Sequence, residues 1–213
     1  MTTQEIYEPL RRGGLTRAGA LGAIGNFMDE AGPELRPNRV QIGTTSMTDE
    51  QYTRAVDQGR IDFEDGRGYG LAQWTMGKRK NWLLSFAKKS NVSVGDGPMQ
   101  VAFFLWECRE YFPNVWRVLT ESDDVAECAD IVCRVYENPA IKNYPVRRSY
   151  AMQAAEETWD APATKDEGGD LVVKLLQLAM AEDGYWPRDQ ITGEKTPAFR
   201  AKIIEYAADV AKT

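Results

Sequence analysis

The chain has 213 residues, a formal net charge of −6 and a hydrophobic content of 43%, which is ordinary for a soluble globular protein. It contains no histidine, which excludes Ser-His-Asp and Cys-His nucleophilic systems as well as His-ligated zinc hydrolases. The acidic balance argues against nucleic-acid binding, and the one candidate basic patch, Lys78, Arg79 and Lys80, is better explained as a solvated helix face.

The sequence predicts neither a membrane-spanning helix nor an N-terminal signal peptide. No apolar run approaches the roughly 20 residues that span a bilayer, and the N-terminus lacks the apolar core of a signal peptide. We therefore expect a protein that is made in the cytoplasm, does not insert into membranes, and must be released or carried if it acts elsewhere.

The cysteine content predicts ordinary reduced thiols. Cys108, Cys128 and Cys133 are too few for a Cys₄ zinc site, and the last two are poorly spaced for a bridge within one helix. We expect all three to be mostly buried, and we expect no metal site and no cofactor.

The first two predicted helices lie on either side of a Gly13-Gly14 break. One covers Thr3 to Arg12, and the next starts after Thr16, a plausible N-cap, and runs through Ala31. On a helical wheel Glu30 falls at the edge of the apolar stripe, whereas Asp29 points farther from it and is predicted to face water. The stripe consists of Ala20, Leu21, Ile24, Phe27, Met28 and Ala31.

A loop, a short helix and a hairpin are predicted next. Residues 32–48 have loop composition, and Thr48 stands three residues before Gln51, in capping-box spacing, at the start of a helix that extends to Gly59. In the segment 60–75, Asp65-Gly66 is a hairpin turn signal. The returning strand would place four residues on one face: Tyr69, Leu71, Gln73 and Thr75.

The remainder of the chain is predicted to be helical. Helices are expected at 77–90, 97–110, 112–120, 123–136 and 146–159. The polar segment 160–169 contains Pro and Gly and is predicted to be a linker, and 170–184 and 196–212 are amphipathic. The fold class is therefore mainly α, with one small β-hairpin.

The positions of two acids suit glycosidic bond cleavage, in which one carboxyl protonates the leaving oxygen while a second, ionised carboxylate assists. The acid must hold its proton near neutral pH, which burial beside apolar side chains favours. Glu30 at the stripe edge has such a setting, and Asp65 at the glycine-rich turn has a polar one. Tyr69 and Trp74 offer flat faces to a sugar, and Gln73, Thr75 and the bare amide of Gly70 offer hydrogen bonds.

Two stretches together, "GGLTRAGALGAIGNFMDEAG" and "GRGYGLAQWT", closely resemble the phage-tail lysozyme family of the lysozyme-like superfamily. The resemblance continues through "SVGDGPMQVAFFLWE" and "YENPA", and covers about residues 4–155. The matching positions are Gly14, Leu15, Thr16, Gly19, Ala20, Gly22, Gly25, Asn26, Glu30, Asp65, Gly68, Tyr69, Gly70, Leu71, Ala72, Gln73, Trp74 and Thr75. Ala31 stands where the family usually has Ser, and the loop after it is more charged than usual.

The resemblance implies an α+β lysozyme-like domain at 1–159, with the hairpin beside an active-site groove. It implies an endolysin-type muramidase that cleaves the glycan of bacterial peptidoglycan between N-acetylmuramic acid and N-acetylglucosamine and acts after release or as part of a virion. The family's acid maps to Glu30 and its second acidic position to Asp65, with Asp62 and Glu64 as competitors. Asn26 joins the expected sugar-binding set of Tyr69, Gly70, Gln73, Trp74 and Thr75. A lytic transglycosylase and a non-catalytic tail or wall-binding module are the alternatives.

Three further acids are predicted to have no catalytic role. Glu137 ends a helix and is expected to pair with Arg147 or Arg148, and Glu107 and Glu110 have the pattern of a solvated helix face.

The C-terminal segment 170–213 faintly resembles the opening of a cysteine-peptidase wall-hydrolase module but lacks its Cys and His. We therefore predict a helical appendage, or the start of a second module, that contacts a phage tail or another enzymatic module and has no activity of its own.

Overall fold

The computed structural model describes residues 1–159 together with Gln177 and Lys202. In this part of the chain there are eight α-helices, one π-helical turn and no β-strand: α1 (Thr3–Arg12), α2 (Arg17–Ala31), α3 (Asp49–Asp57), α4 (Gly77–Lys89), α5 (Gly97–Tyr111), α6 (Pro113–Glu121), α7 (Val125–Ile131), the π-helical turn (Val132–Glu137) and α8 (Tyr144–Glu157). The prediction of a mainly helical protein is confirmed.

The chain divides into two compact units, Met1–Asp160 and Ala161–Thr213. The predicted linker at 160–169 and, apart from Gln177 and Lys202, the predicted appendage at 170–213 lie outside the described residues. The division into domain, linker and appendage therefore stays a prediction.

Local chemistry sets the helix starts that the sequence predicted. The Thr16 side chain accepts a hydrogen bond from the Gly19 amide at 2.9 Å, which satisfies a free N–H at the start of α2. Thr48 and Gln51 form the predicted reciprocal capping box at the start of α3.

Helix α2 is the central element and packs against α1, α6, α7 and α8. Its three glycines lie one turn apart, and each faces the backbone of a different helix. A Cβ at Gly19, Gly22 or Gly25 would overlap main-chain atoms of α6, α7 or α8 respectively. The absence of side chains at these positions brings the helices close enough to fix the end of α2, which carries Asp29 and Glu30.

The predicted β-hairpin is not found in the described residues. Only isolated antiparallel bridges occur, between Val40 and Tyr69 and between Tyr69 and Trp74. The chain reverses within the predicted returning strand, because Gly70 (φ 80°) and Gln73 (φ 42°) take left-handed conformations and the Gln73 amide donates to the Gly70 carbonyl. The reversal ends the alternation of faces that the strand prediction assumed.

The cysteine prediction is confirmed, since Cys108, Cys128 and Cys133 are all buried and free. Burial raises the pKa of Cys128 to about 11, and raises those of the other two thiols as well. In the described residues, every helix is too short or too polar to cross a membrane.

Candidate active site

The C-terminal end of α2 presents two acids to a common partner. Arg147 Nη2, from α8, lies 2.6 Å from Glu30 Oε1 and 2.9 Å from Asp29 Oδ2. Both acidic side chains are 20% exposed, while Arg147 is only 3% exposed. The prediction that Asp29 faces water was wrong. A helical wheel of α2 alone cannot show Arg147, which α8 places beside both acids.

Asn26 holds the arginine in place. Its Oδ1 accepts a hydrogen bond from Arg147 Nη1 at 2.8 Å, and its Nδ2 donates to the carbonyls of Gly22 and Ala129. Asn26 is fully buried, so its amide links α2, α7 and α8 in one network. The close packing at Gly25 puts Arg147 within reach of that amide.

A second buried ion pair lies near the first. Both oxygens of Glu107 accept from the Arg79 guanidinium, from Nε at 2.8 Å and from Nη2 at 2.9 Å. Trp74 Nε1 and Tyr136 Oη also donate to Glu107. Glu107 is only 1% exposed, so its assignment to a solvated helix face was wrong; charge patterning along α5 could not reveal a partner on α4.

Glu137 ends the π-helical turn and is not paired as predicted. In the described part of the chain its Oε1 is buried without a hydrogen-bond partner, and so is Arg147 Nε. Burial and the nearby charge of Glu30 raise the pKa of Glu137 well above its usual range, against the opposing effect of Arg79 and Arg147. Arg148, the other predicted partner, pairs with Asp130 instead.

Asp65 lies in a separate charge cluster. Its Oδ1 accepts from Lys80 Nζ at 2.7 Å and from the Arg67 amide, and its Oδ2 accepts from Tyr52 Oη and Arg67 Nη1. Burial alone would raise the pKa of Asp65, but these hydrogen bonds outweigh it and lower the pKa to about 2. Lys80 is completely buried and Arg79 is engaged with Glu107, so the interpretation of residues 78–80 as a solvated helix face was wrong for both.

Arg39 joins the two stretches that carry the family motif. Its Nη1 donates to the carbonyl of Ala31 at the end of α2. Its own carbonyl accepts from the Gly70 amide at 2.9 Å and from Gln73 Nε2 at 3.1 Å. Arg39 thus links the turn of residues 69–75 to the helix end that carries Glu30.

The residues predicted to bind sugar differ in exposure. Thr75 is exposed and Gln73 is partly exposed, whereas Asn26, Tyr69, Gly70 and Trp74 are buried. The Tyr69 ring packs edge-on against Phe63, and the Trp74 ring packs against Phe103. Asp62 and Glu64, the competitors of Asp65, are exposed.

Sequence reasoning did not identify Arg39, Arg79 or Arg147 as parts of the site. Arg79 and Arg147 donate to acids that are 28 and 117 positions away in sequence, and Arg39 donates to a backbone carbonyl that belongs to another element. One signal in the sequence could have indicated these arginines, namely the acids that lie on segments with apolar periodicity. Such acids become buried on folding, and buried carboxylates need cationic partners.

Comparison with known proteins supplies the family. A search of curated proteins finds no match. The family model described as phage tail lysozyme matches residues 1–157, which include α1 to α8 and both charge clusters. The chain belongs to the phage tail lysozyme family.

Proposed function

We propose that the protein cleaves the β-1,4 glycan strand of bacterial peptidoglycan between N-acetylmuramic acid and N-acetylglucosamine. Membership of the phage tail lysozyme family supports a lysozyme-like peptidoglycan hydrolase. The observation that carries the specific proposal is Glu30, a partly exposed carboxyl at the family's acid position, held by a buried arginine.

Glu30 is the proposed general acid, which protonates the glycosidic oxygen as the bond to the leaving sugar breaks. Arg147 engages Oε1, and no hydrogen bond to Oε2 is found in the described residues, so Oε2 is the oxygen from which the proton would be delivered.

For the second carboxylate, Asp65 has the ionised state that the role requires. However, four donors already engage its two oxygens, which leaves little capacity to receive a sugar or a water. This saturation favours a lytic transglycosylase, which needs a single acid, as the second candidate function. If Asp65 is catalytic, Asp65→Asn loses activity at temperatures where the variant is still folded.

Gln73 and Thr75 are the proposed direct sugar contacts, because they alone of the predicted set reach solvent. The buried members of the set, Asn26, Tyr69, Gly70 and Trp74, are proposed to shape the groove from behind. Trp74 does so through its indole N–H, which donates to Glu107.

The test uses the full chain, its Glu30→Gln variant and a matched control, Glu110→Gln, at an exposed acid on α5. Wild type and control should release muropeptides from purified cell walls at similar rates, whereas Glu30→Gln should be slower by about 10²–10⁴-fold. New reducing ends indicate hydrolysis, and anhydro products identify a transglycosylase. If wild type releases no products, the non-catalytic wall-binding module is the remaining explanation. If Glu30→Gln is fully active, the assignment of Glu30 as the general acid is wrong.

A further inference from the structure

The group that the proposed reaction leaves unexplained is Glu137. It is the last residue of the π-helical turn, and Asn138 follows in a left-handed conformation with φ 45°. π-Helical turns cost stability and occur often at functional sites. Here the turn directs a carboxyl oxygen into a position that is buried and has no hydrogen-bond partner among the described residues, an arrangement that native proteins usually avoid.

Arg147 provides the matching unsatisfied donor. Its two terminal nitrogens are engaged by Asn26, Glu30 and Asp29, but its Nε is buried and has no hydrogen-bond partner within the part of the chain that the structure describes. In the described arrangement no ion pair joins Arg147 to Glu137. In the described residues, a buried donor, Arg147 Nε, and a buried acceptor, Glu137 Oε1, are therefore both without a hydrogen-bond partner.

The balance of charges explains why Glu137 has no cationic partner among the described residues. Arg79 is committed to Glu107 through two hydrogen bonds, so those two groups neutralise each other. Among the described residues, Arg147 then remains as the one cation that lies near Asp29, Glu30 and Glu137. A protonated carboxyl fits this position, because Glu137 Oε1 is buried without a donor in the described residues, and burial and the charge of Glu30 raise the pKa of Glu137. The titratable and charged groups around Glu137 are Glu30 on α2, Arg79 on α4, Glu107 and Cys108 on α5, Cys133 and Tyr136 on its own turn, and Arg147 on α8.

We propose that Glu137 is a positioning residue that stores the proton of the general acid and is the alternative partner of Arg147. When a neutral sugar covers Glu30, removal of water disfavours a charge there. The O–H bond of Glu137 breaks and an O–H bond forms on Glu30, while the guanidinium turns from Glu30 to the newly ionised Glu137. One proton and one negative charge exchange places, so the net charge of the cluster does not change.

This inference rests on the proposed role of Glu30, and the pH profile of wall degradation tests it. Glu137→Gln keeps the shape of the side chain but can neither hold nor release the proton. At acidic pH the variant should match wild type, because bulk solvent protonates Glu30 directly. The alkaline fall in its rate should begin at least about one pH unit lower, which makes it about tenfold slower on that limb.

A structural role would produce a different pattern. Equal loss at every pH would show that Glu137 only supports the fold, and a profile identical to wild type would show that it does nothing; either outcome overturns the proposal. Glu110→Gln is the control for a Glu-to-Gln substitution at an exposed acid outside the cluster.

A second measurement separates failure of this inference from failure of the proposed function. Titration of the glutamate Cδ carbons by ¹³C NMR should reveal a carboxyl that is protonated at neutral pH and is lost in Glu137→Gln. In Glu30→Gln that carboxyl should titrate at lower pH, because the repelling charge has gone. A wall assay without products refutes the proposed function alone. If the NMR titration shows no carboxyl that is protonated at neutral pH, or shows that its titration does not change in Glu30→Gln, the proposed role of Glu137 is wrong.

Discussion

Asp65 is a carboxylate that accepts hydrogen bonds from four donors. Lys80 has no exposed surface, and its Nζ is held by Asp65 Oδ1 and by the Arg67 carbonyl. Burial lowers the pKa of Lys80, and the adjacent Asp65 partly offsets this effect. The carboxylate therefore compensates a buried positive charge at the start of α4.

We predict that Asp65→Asn lowers the free energy of unfolding by about 3 kcal/mol at neutral pH, because it leaves Lys80 buried without a counter-charge. The pKa of Asp65 is depressed from 3.8 to about 2 in the folded protein, so its stabilising contribution is present above pH 4 and lost as the pH falls toward 2. Urea unfolding of wild type and variant at several pH values should show their difference shrink across that window.

Asp62→Asn is the control for this prediction, since Asp62 is an exposed acid in the same loop. It should leave stability nearly unchanged. A difference between wild type and Asp65→Asn that stays constant from pH 7 to pH 2 would contradict the linkage to Asp65.

Helix α2 is positioned by contacts between main chains. Gly25 faces the Arg147 carbonyl and the Ala151 side chain, and Gly19 and Gly22 face α6 and α7 in the same way. The glycines lower the intrinsic helix propensity of α2, and the close packing offsets that cost.

We predict that Gly25→Ala destabilises the protein by about 1–3 kcal/mol despite the better helix propensity of Ala, because the new methyl group overlaps backbone that cannot move aside. Thermal unfolding should show a lower midpoint, and wall degradation at low temperature should also fall because Arg147 is displaced.

Gly77→Ala is the matched substitution at a helical glycine, where the nearest atoms belong to the flexible, exposed side chain of Glu64. It should be close to neutral. A Gly25→Ala variant that is at least as stable as wild type would mean that helix propensity, and not close packing, decides the outcome.

At the scale of the whole molecule, the first unit has its own core, which runs from Ile6 on α1 to Ala154 on α8. The family match ends at residue 157. We predict that a chain ending after Asp160 keeps the unfolding midpoint of this unit and the wall-degrading rate per molecule. An aggregated or inactive truncated protein would show that the fold of the first unit requires residues 161–213.

The sequence predicted the features that depend on near neighbours. Thr16 and Thr48 were identified as caps because a cap needs only the next three residues, and Glu30 was located from the apolar stripe and the family motif. The pairs between Arg147 and Glu30 and between Arg79 and Glu107 were not predicted, since each joins segments that meet only in the folded state. The missing hairpin has a local cause, because a non-glycine residue at positive φ, Gln73, leaves no compositional signal.

The π-helical turn at Val132–Glu137 shifts the rotational phase of the side chains along it, up to Glu137 at its end. Each residue in such a turn is accommodated by a wider hydrogen-bonded loop than in an α-helix, so these side chains face directions that a 3.6-residue repeat does not give. The number of residues between Ile131 and Asn138 therefore sets which way Glu137 points. A change of one residue in length, which many loops tolerate, would here rotate the Glu137 carboxyl out of its buried position while leaving every charged residue of the site in the sequence.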